Sequence, residues 1–285
     1  MLYTGVQVVK DFLKINEFFK EKSLPLDDFK PYLEEMTPNL LLVIKSGKTT
    51  ALGIVKEKVV RLVSHDNEIK SIKARNKEQS LLMELLCDPG IDCITVSGPA
   101  GSGKTLLALA YALDRLEKGK INKIVLCKDL TPLGREIGFL KGTMDEKVRP
   151  WMGSFFDNFE VLGVPYYELD NLTNPVSDRQ KENPGRIEIS PLTFIQGRSI
   201  SNAVIIVDEA QNLTKEIVKQ ILTRPAENTK IILLGDTSQI IEKDAVKNNG
   251  LLAAIEGGKG AEFIGHITLL KCVRSRLAEW FIKHL

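Results

Sequence analysis

The sequence predicts an α/β fold: a mostly parallel sheet flanked by helices, preceded by a small helix-plus-β N-terminal module. Three observations carry this prediction. From about residue 75, short apolar runs alternate with helical segments, the pattern of strands buried on both faces. One run, residues 92–97, leads into a glycine-rich segment and then a helix over 104–116. Another, residues 204–207, ends in the paired acids Asp208 and Glu209. In an open α/β sheet that end of a strand is where ligands bind.

In chain order, residues 6–20 place apolar side chains at Val6, Val9, Leu13 and Phe18, a helical rhythm that Lys22-Ser-Leu-Pro25 interrupts. Residues 39–65 hold β-rich runs separated by Gly47 and Gly53, which read as a strand-and-turn module. The polar residues 66–73 read as a linker, so the expected domains are 1–72 and 73–285. Within the second, strands are expected at 92–97, 121–127, 204–207, 231–234 and 264–270, with helices at 104–116, 214–223 and 275–284. Residues 165–191 carry Pro165, Pro175, Pro184 and Pro191 and read as an inserted loop or hairpin on the surface.

A chain of 285 residues, 43% hydrophobic and 27% charged, can bury a full core. Its net charge of +2 neither demands nor excludes a nucleic-acid partner, because a local basic track can hide in a balanced total. Cys87, Cys93, Cys127 and Cys272 form no CxxC pair, and three of them sit in or beside apolar runs, as inert core thiols do. His65, His266 and His284 are scattered and suggest no metal set. The N-terminal residues lack the uninterrupted apolar stretch of a signal peptide. No window reaches the roughly 18 apolar residues of a membrane span. The expectation is a cytoplasmic protein without membrane attachment.

The segment Gly98-Pro-Ala-Gly-Ser-Gly-Lys-Thr105 fits G-x-x-x-x-G-K-[ST] between a strand and a helix. Glycines at 98, 101 and 103 let backbone N–H groups turn inward around phosphate oxygens, and the helix that follows adds its positive end. Pro99, Ala100 and Ser102 complete the loop. Lys104 would reach the β- and γ-phosphates, and the Thr105 hydroxyl would ligate Mg²⁺. Asp208 would hold the same ion, while Glu209 is placed to polarise the attacking water. A third element, Leu234-Gly-Asp-Thr-Ser-Gln239, again follows an apolar strand, and Gln239 could contact the γ-phosphate or the attacking water.

The order GPAGSGKT, VDEAQN, LGDTSQ resembles the first motor domain of superfamily-one helicases, a RecA-like P-loop NTPase, and more closely the PhoH-like ATPase family. The resemblance runs from about Lys73 to the C-terminus. It rests on Ala74-Arg-Asn-Lys-Glu-Gln79, the P-loop followed by Leu106-Leu-Ala-Leu109, Gly134-Arg-Glu-Ile-Gly-Phe-Leu140 and Pro191-Leu-Thr-Phe. It continues through Gly197-Arg-Ser-Ile200, Asp208-Glu-Ala-Gln-Asn212, Leu222-Thr-Arg224 and Arg274-Ser275. The resemblance implies ATP as the nucleotide, with Gln79 matching a glutamine that reads adenine. It also implies ATP-dependent work on RNA, and residues 39–65 resemble the β module preceding the ATPase in relatives fused to a PIN ribonuclease domain. No PIN domain is expected before residue 75, and Asp11, Asp27 and Asp28 supply no convincing metal-binding set. Lys128, Asp129, Lys141 and Gln196 depart from the family pattern, which leaves substrate and coupling open.

Phosphoryl transfer calls for positive charge beyond lysine and magnesium. With one motor domain in the chain, the expected source is a neighbouring subunit of a homo-oligomeric ring, a hexamer in the relatives, with Arg224, Arg274 or Arg198 as the finger. Lys128, Arg135, Lys141 and Lys147 could form a basic edge for single-stranded RNA or DNA. Trp151, Phe155, Phe156 and Phe159 could stack bases. The helical spacing of Val148, Met152, Phe155 and Phe159 favours an apolar core face instead. The rival to a nucleic-acid motor is a nucleotide-gated switch acting on a protein partner.

Overall fold

The computed structural model of the chain describes residues 2–128, 153–164, 186–192, 195, 197–239, 248–273, 280 and 284. They fall into two compact units, residues 1–104 with 253–285, and residues 105–252.

The first unit begins with β1 (Val6–Val9), α1 (Ile15–Glu21), β2 (Ser23–Pro25), β3 (Leu41–Ser46), β4 (Thr49–Lys56) and β5 (Val59–Val63). These strands form a sheet in the order β1-β3-β4-β5-β2, with β1 parallel to β3 and the other pairs antiparallel. The expected helix over 6–20 is therefore only half right, since Val6–Val9 is a strand and α1 starts at Ile15. Three of the four β1 residues are valines, whose branched side chains favour extended backbone. Of the four residues of the expected helical face, Val9 and Phe18 are in the core, Val6 is half-buried and Leu13 is not buried. Val9, Phe12, Ile15 and Phe18 are buried, whereas Leu13 is 88% exposed. Phe12 stacks on Phe29 with ring centroids 4.4 Å apart, and Phe18 meets Phe29 edge-on at 5.7 Å.

Two further expectations need correction. Gly53 does not separate strands but lies inside β4 opposite Leu42, where a Cβ would come within 2.8 Å of Val60 Cγ1. Residues 66–73 are not a plain linker: β6 (Glu68–Ile69) and β7 (Ile72–Lys73) pair antiparallel. Lys70 and Ser71 turn between them at φ +47° and +63°, the positive pair of a tight hairpin turn.

The remainder of this unit holds α2 (Lys77–Cys87), β8 (Cys93–Ser97) and β13 (Ile264–Thr268), with β13 parallel to β8 and α2 packed on β13. The Asn76 side chain caps α2 by accepting the Gln79 N–H at 2.9 Å. The N-terminal sheet is tied to this layer at several points. Thr268 N–H donates to the Thr4 carbonyl at 2.9 Å, Asn39 Nδ2 donates to the carbonyls of Glu262 and Ile264, and Arg61 pairs with Glu84 at 2.6 Å.

In the second unit the strands are β9 (Lys123–Lys128), β10 (Ile187–Pro191), β11 (Ala203–Asp208) and β12 (Thr229–Gly235). They run parallel in the order β10-β9-β11-β12. Every residue of β11 and β12 is buried, as unbroken apolar runs covered on both faces require. The helices are α3 (Lys104–Glu117), α4 (Gly153–Val161) and α5 (Lys215–Leu222), and α6 (Gly250–Gly258) begins here and continues into the first unit. The end of the proline-bearing segment is strand β10, not loop. Its partner is β9 and it sits at the end of the described strand order, where a terminal proline costs no ladder bond. Residues 165–185 lie outside the described residues, as does most of the helix expected over 275–284.

Phe155 and Phe159 are fully buried on α4, as their helical spacing predicted, while Trp151, Val148 and Met152 lie outside the described residues. Burial pushes the Cys93 thiol up to about 12 and the Cys127 thiol well above its ordinary value, but Cys272 is half-buried and Cys87 exposed, so two cysteines rather than the expected three are core thiols. Among the described residues no helix is long and apolar enough to cross a membrane.

Candidate nucleotide site

The fully buried strand β8 ends at Ser97 and delivers the glycine-rich loop. Gly98, Gly101 and Gly103 take φ values of +147°, +79° and +94°, conformations that side chains rarely adopt. At Gly98 a side chain is also barred by backbone, and at Gly103 it would displace the end of one side chain. A Cβ on Gly98 would sit 2.4 Å from the Leu269 carbonyl oxygen, and one on Gly103 would sit 2.8 Å from Gln79 Nε2. The loop closes on itself through Ser102 N–H, which donates to the Pro99 carbonyl at 3.2 Å. Helix α3 then starts at Lys104, whose Nζ donates to the carbonyls of Gly98 and, at 3.0 Å, Pro99. Ser102 is 1% exposed, and its hydroxyl has no hydrogen-bond partner among the described residues.

Gln79 lies in the first turn of α2. It is buried, its Oε1 accepts Arg75 N–H at 2.8 Å and its Nε2 donates to the Ser102 carbonyl at 2.9 Å. An amide offers two protons and two lone pairs, so these bonds use half its capacity.

In the second unit, Asp208 ends β11 and is buried, in register with Lys128 at the end of β9. Side chains in parallel register share a face, so this acid and this lysine stand side by side at the carboxyl edge of the sheet. Glu209 follows in the left-handed region at φ +57°, ψ +32°, a strained conformation for a residue with a side chain. Its Oε2 accepts the Gln211 amide at 2.7 Å. Gln211 is 1% exposed and also accepts Asp236 N–H on its Oε1 at 3.1 Å, while its own carbonyl accepts Asn249 Nδ2 at 2.8 Å.

Gly235 makes that approach possible, because a Cβ there would lie 2.6 Å from Gln211 Oε1. Asp236 Oδ1 in turn accepts the N–H and hydroxyl of Ser238, and Gln239 N–H donates to the Asp236 carbonyl at 3.0 Å. Asp236 Oδ2 has no partner among the described residues. The Gln239 side chain is exposed. Sequence reasoning gave Gln211 no role, since its partners lie 25 and 38 residues away and only the fold brings them together.

The basic candidates separate clearly. Arg198 grips Glu188 of β10 with both terminal nitrogens, which holds its guanidinium above the ordinary arginine value. Arg224 stays at the end of α5, donating to the Gln220 carbonyl and the Thr223 hydroxyl, each at 2.9 Å. Lys128 Nζ lies 3.4 Å from Ser154 Oγ. Arg135, Lys141, Lys147 and Arg274 lie outside the described residues.

The family model described as PhoH-like protein matches residues 71–285. The chain belongs to the PhoH-like family. Protein PhoH2 of Bacillus subtilis is 38% identical over 275 residues, which cover 93% of this chain and 60% of that protein. The PhoH-like protein of Mycobacterium tuberculosis is 30% identical over 258 residues, covering 86% of this chain and 70% of the relative. This PhoH-like chain spans between 52% and 60% of the length of the three PhoH2 relatives. Among solved structures, the UvsW helicase from bacteriophage T4 aligns over 73% of this chain and 64% of its own, with a TM-score of 0.41 and 10% identity. That likeness is too slight to carry an argument about function.

Proposed function

We propose that the chain is a magnesium-dependent ATPase of the cytoplasm that couples hydrolysis to the remodelling or unwinding of RNA, or to the remodelling of other single-stranded nucleic acid. The observation that carries this reading is the phosphate loop. Its glycines hold positive φ values, its buried Ser102 hydroxyl has no partner among the described residues, and a helix of 14 residues starts at Lys104. A helix N-terminus preceded by such a loop favours phosphate oxygens. The donor set also fits magnesium, because the Thr105 hydroxyl and Asp208 carboxylate are the hard oxygens that this ion takes. When bound, magnesium would supply positive charge that neutralises the phosphates.

The chain's own residues then have separate tasks. Lys104 stabilises charge on the transferred phosphoryl group. Glu209, held by Gln211, orients the attacking water, and Gln239 senses the γ-phosphate. Gln79 sets the loop and contacts the base. A cation from a neighbouring copy in a ring completes the charge, with Arg224 and Arg274 as the remaining candidates once Arg198 is paired with Glu188. Lys104→Ala is expected to abolish hydrolysis and weaken ATP binding, while Glu209→Gln keeps binding and traps ATP. Filter binding and single-turnover hydrolysis check both, and equal loss of binding and turnover in Glu209→Gln contradicts its role.

A further inference from the structure

Three consecutive carbonyls of the phosphate loop accept hydrogen bonds from residues outside it. The Ala100 carbonyl accepts the Cys272 thiol at 3.4 Å, the Gly101 carbonyl accepts Val273 N–H at 2.9 Å, and the Ser102 carbonyl accepts Gln79 Nε2 at 2.9 Å. Residues 269–273, which continue from β13, therefore lie along the loop as a strap. The strap begins with Leu269 N–H on the Ser97 carbonyl at 2.8 Å, and the Leu269 carbonyl occupies the space a Cβ on Gly98 would need. Its middle is fastened by one side chain. Glu78 Oε2 accepts the N–H groups of Leu270 at 2.7 Å and Lys271 at 3.2 Å. Glu78 and Gln79 are neighbours in the first turn of α2, so one helix end grips both the strap and the loop.

We infer that the first turn of α2 and the strap 269–273 form an outer clamp that orients the phosphate-loop amides, with Glu78 as the positioning residue. Every described peptide bond is trans, and in a trans peptide the C=O and the following N–H point in opposite directions. Anchoring the carbonyls of Ala100, Gly101 and Ser102 to the clamp turns the N–H groups of Gly101, Ser102 and Gly103 to the other side. Ser102 N–H is accordingly found on the Pro99 carbonyl inside the loop. The clamp thus turns the Gly101 and Gly103 amides away from itself before any anion arrives, while Ser102 N–H would leave the Pro99 carbonyl for the anion. This deepens the nucleotide reading and rests on it for the identity of the anion as phosphate.

The test compares Glu78→Ala with Glu78→Gln in the full chain, by hydrogen exchange without nucleotide and by calorimetry with ATP and magnesium. Glu78→Ala removes the oxygen that accepts both N–H groups, so the amides of Leu270, Lys271, Val273 and Gly101–Gly103 exchange faster, and ATP binds about 3- to 10-fold more weakly with kcat within about twofold. Glu78→Gln keeps an acceptor oxygen and restores exchange and affinity to within about twofold of the parent. A carboxylate serving only the helix dipole would leave the two variants equally impaired, which overturns the inference. So does Glu78→Ala whose loop amides exchange at the parent rate. If the parent chain fails to bind ATP, the nucleotide reading falls, while the exchange of Gly101–Gly103 still decides whether the clamp exists.

Discussion

Replacing Gly103 with alanine tests the loop geometry without relying on any ligand. At φ +94° an L side chain is strained by about 1–2 kcal/mol. The added Cβ also falls 2.8 Å from Gln79 Nε2 and forces that amide off the Ser102 carbonyl. Losing this bond and leaving a buried carbonyl unpaired costs about 1–2 kcal/mol more, giving roughly 2–4 kcal/mol in total. In a Gln79→Ala background the clash and the bond are both already gone, so Gly103→Ala should cost only the strain. The four unfolding curves in urea should therefore show a coupling of about 1–2 kcal/mol, with the double variant more stable than the sum of the single losses predicts. Gly47→Ala is the control for strain alone, since Gly47 has φ +55° and nothing lies within 4 Å of its Cβ position. Additivity within about 0.5 kcal/mol would refute a direct Gln79–loop contact.

Two further outcomes are expected. Phe155→Ala should destabilise the chain by about 3–5 kcal/mol in urea melts, because Phe155 is fully buried; a stable variant that loses only single-strand binding would restore the base-stacking role. His266 is buried against Thr95, Thr268 and Tyr3, and burial lowers its folded pKa to about 4 from 6.5. Between those values the unfolded chain binds a proton that the folded chain does not. Stability should fall as pH drops from 6.5 towards 4, by up to about 3 kcal/mol, and level off below. Urea melts from pH 7 to 4 read this loss, and a slope unchanged in His266→Asn would contradict it.

The phosphate loop was legible because its information is local. Three glycines, a lysine and a threonine within eight residues specify a strand–loop–helix turn wherever they occur. The buried strands were legible for a similar reason, as β11 and β12 have no polar face to confuse the period. Val6–Val9 misled because Val6, Val9, Leu13 and Phe18 have helical spacing, whereas the row that is buried, Val9, Phe12, Ile15 and Phe18, runs through a change from strand to helix that periodicity does not detect. Gly53 looked like a break but is a close approach between strands, which depends on Val60 across the sheet. The residues that hold the site were the least legible. Glu78 is fastened to backbone 192 residues away and Gln211 to backbone 25 residues away, and nothing in the local sequence distinguishes them from ordinary polar residues.

Steady-state ATP hydrolysis with and without single-stranded RNA, at low and moderate salt, tests the central claim most directly, with Lys104→Ala as the blank. A magnesium-dependent rate above the blank that RNA raises several-fold, fading as salt screens the phosphates, is the expected result. A slow rate indifferent to RNA would keep the ATP site and transfer the work to a protein partner gated by nucleotide. A rate no higher than that of Lys104→Ala would contradict the account.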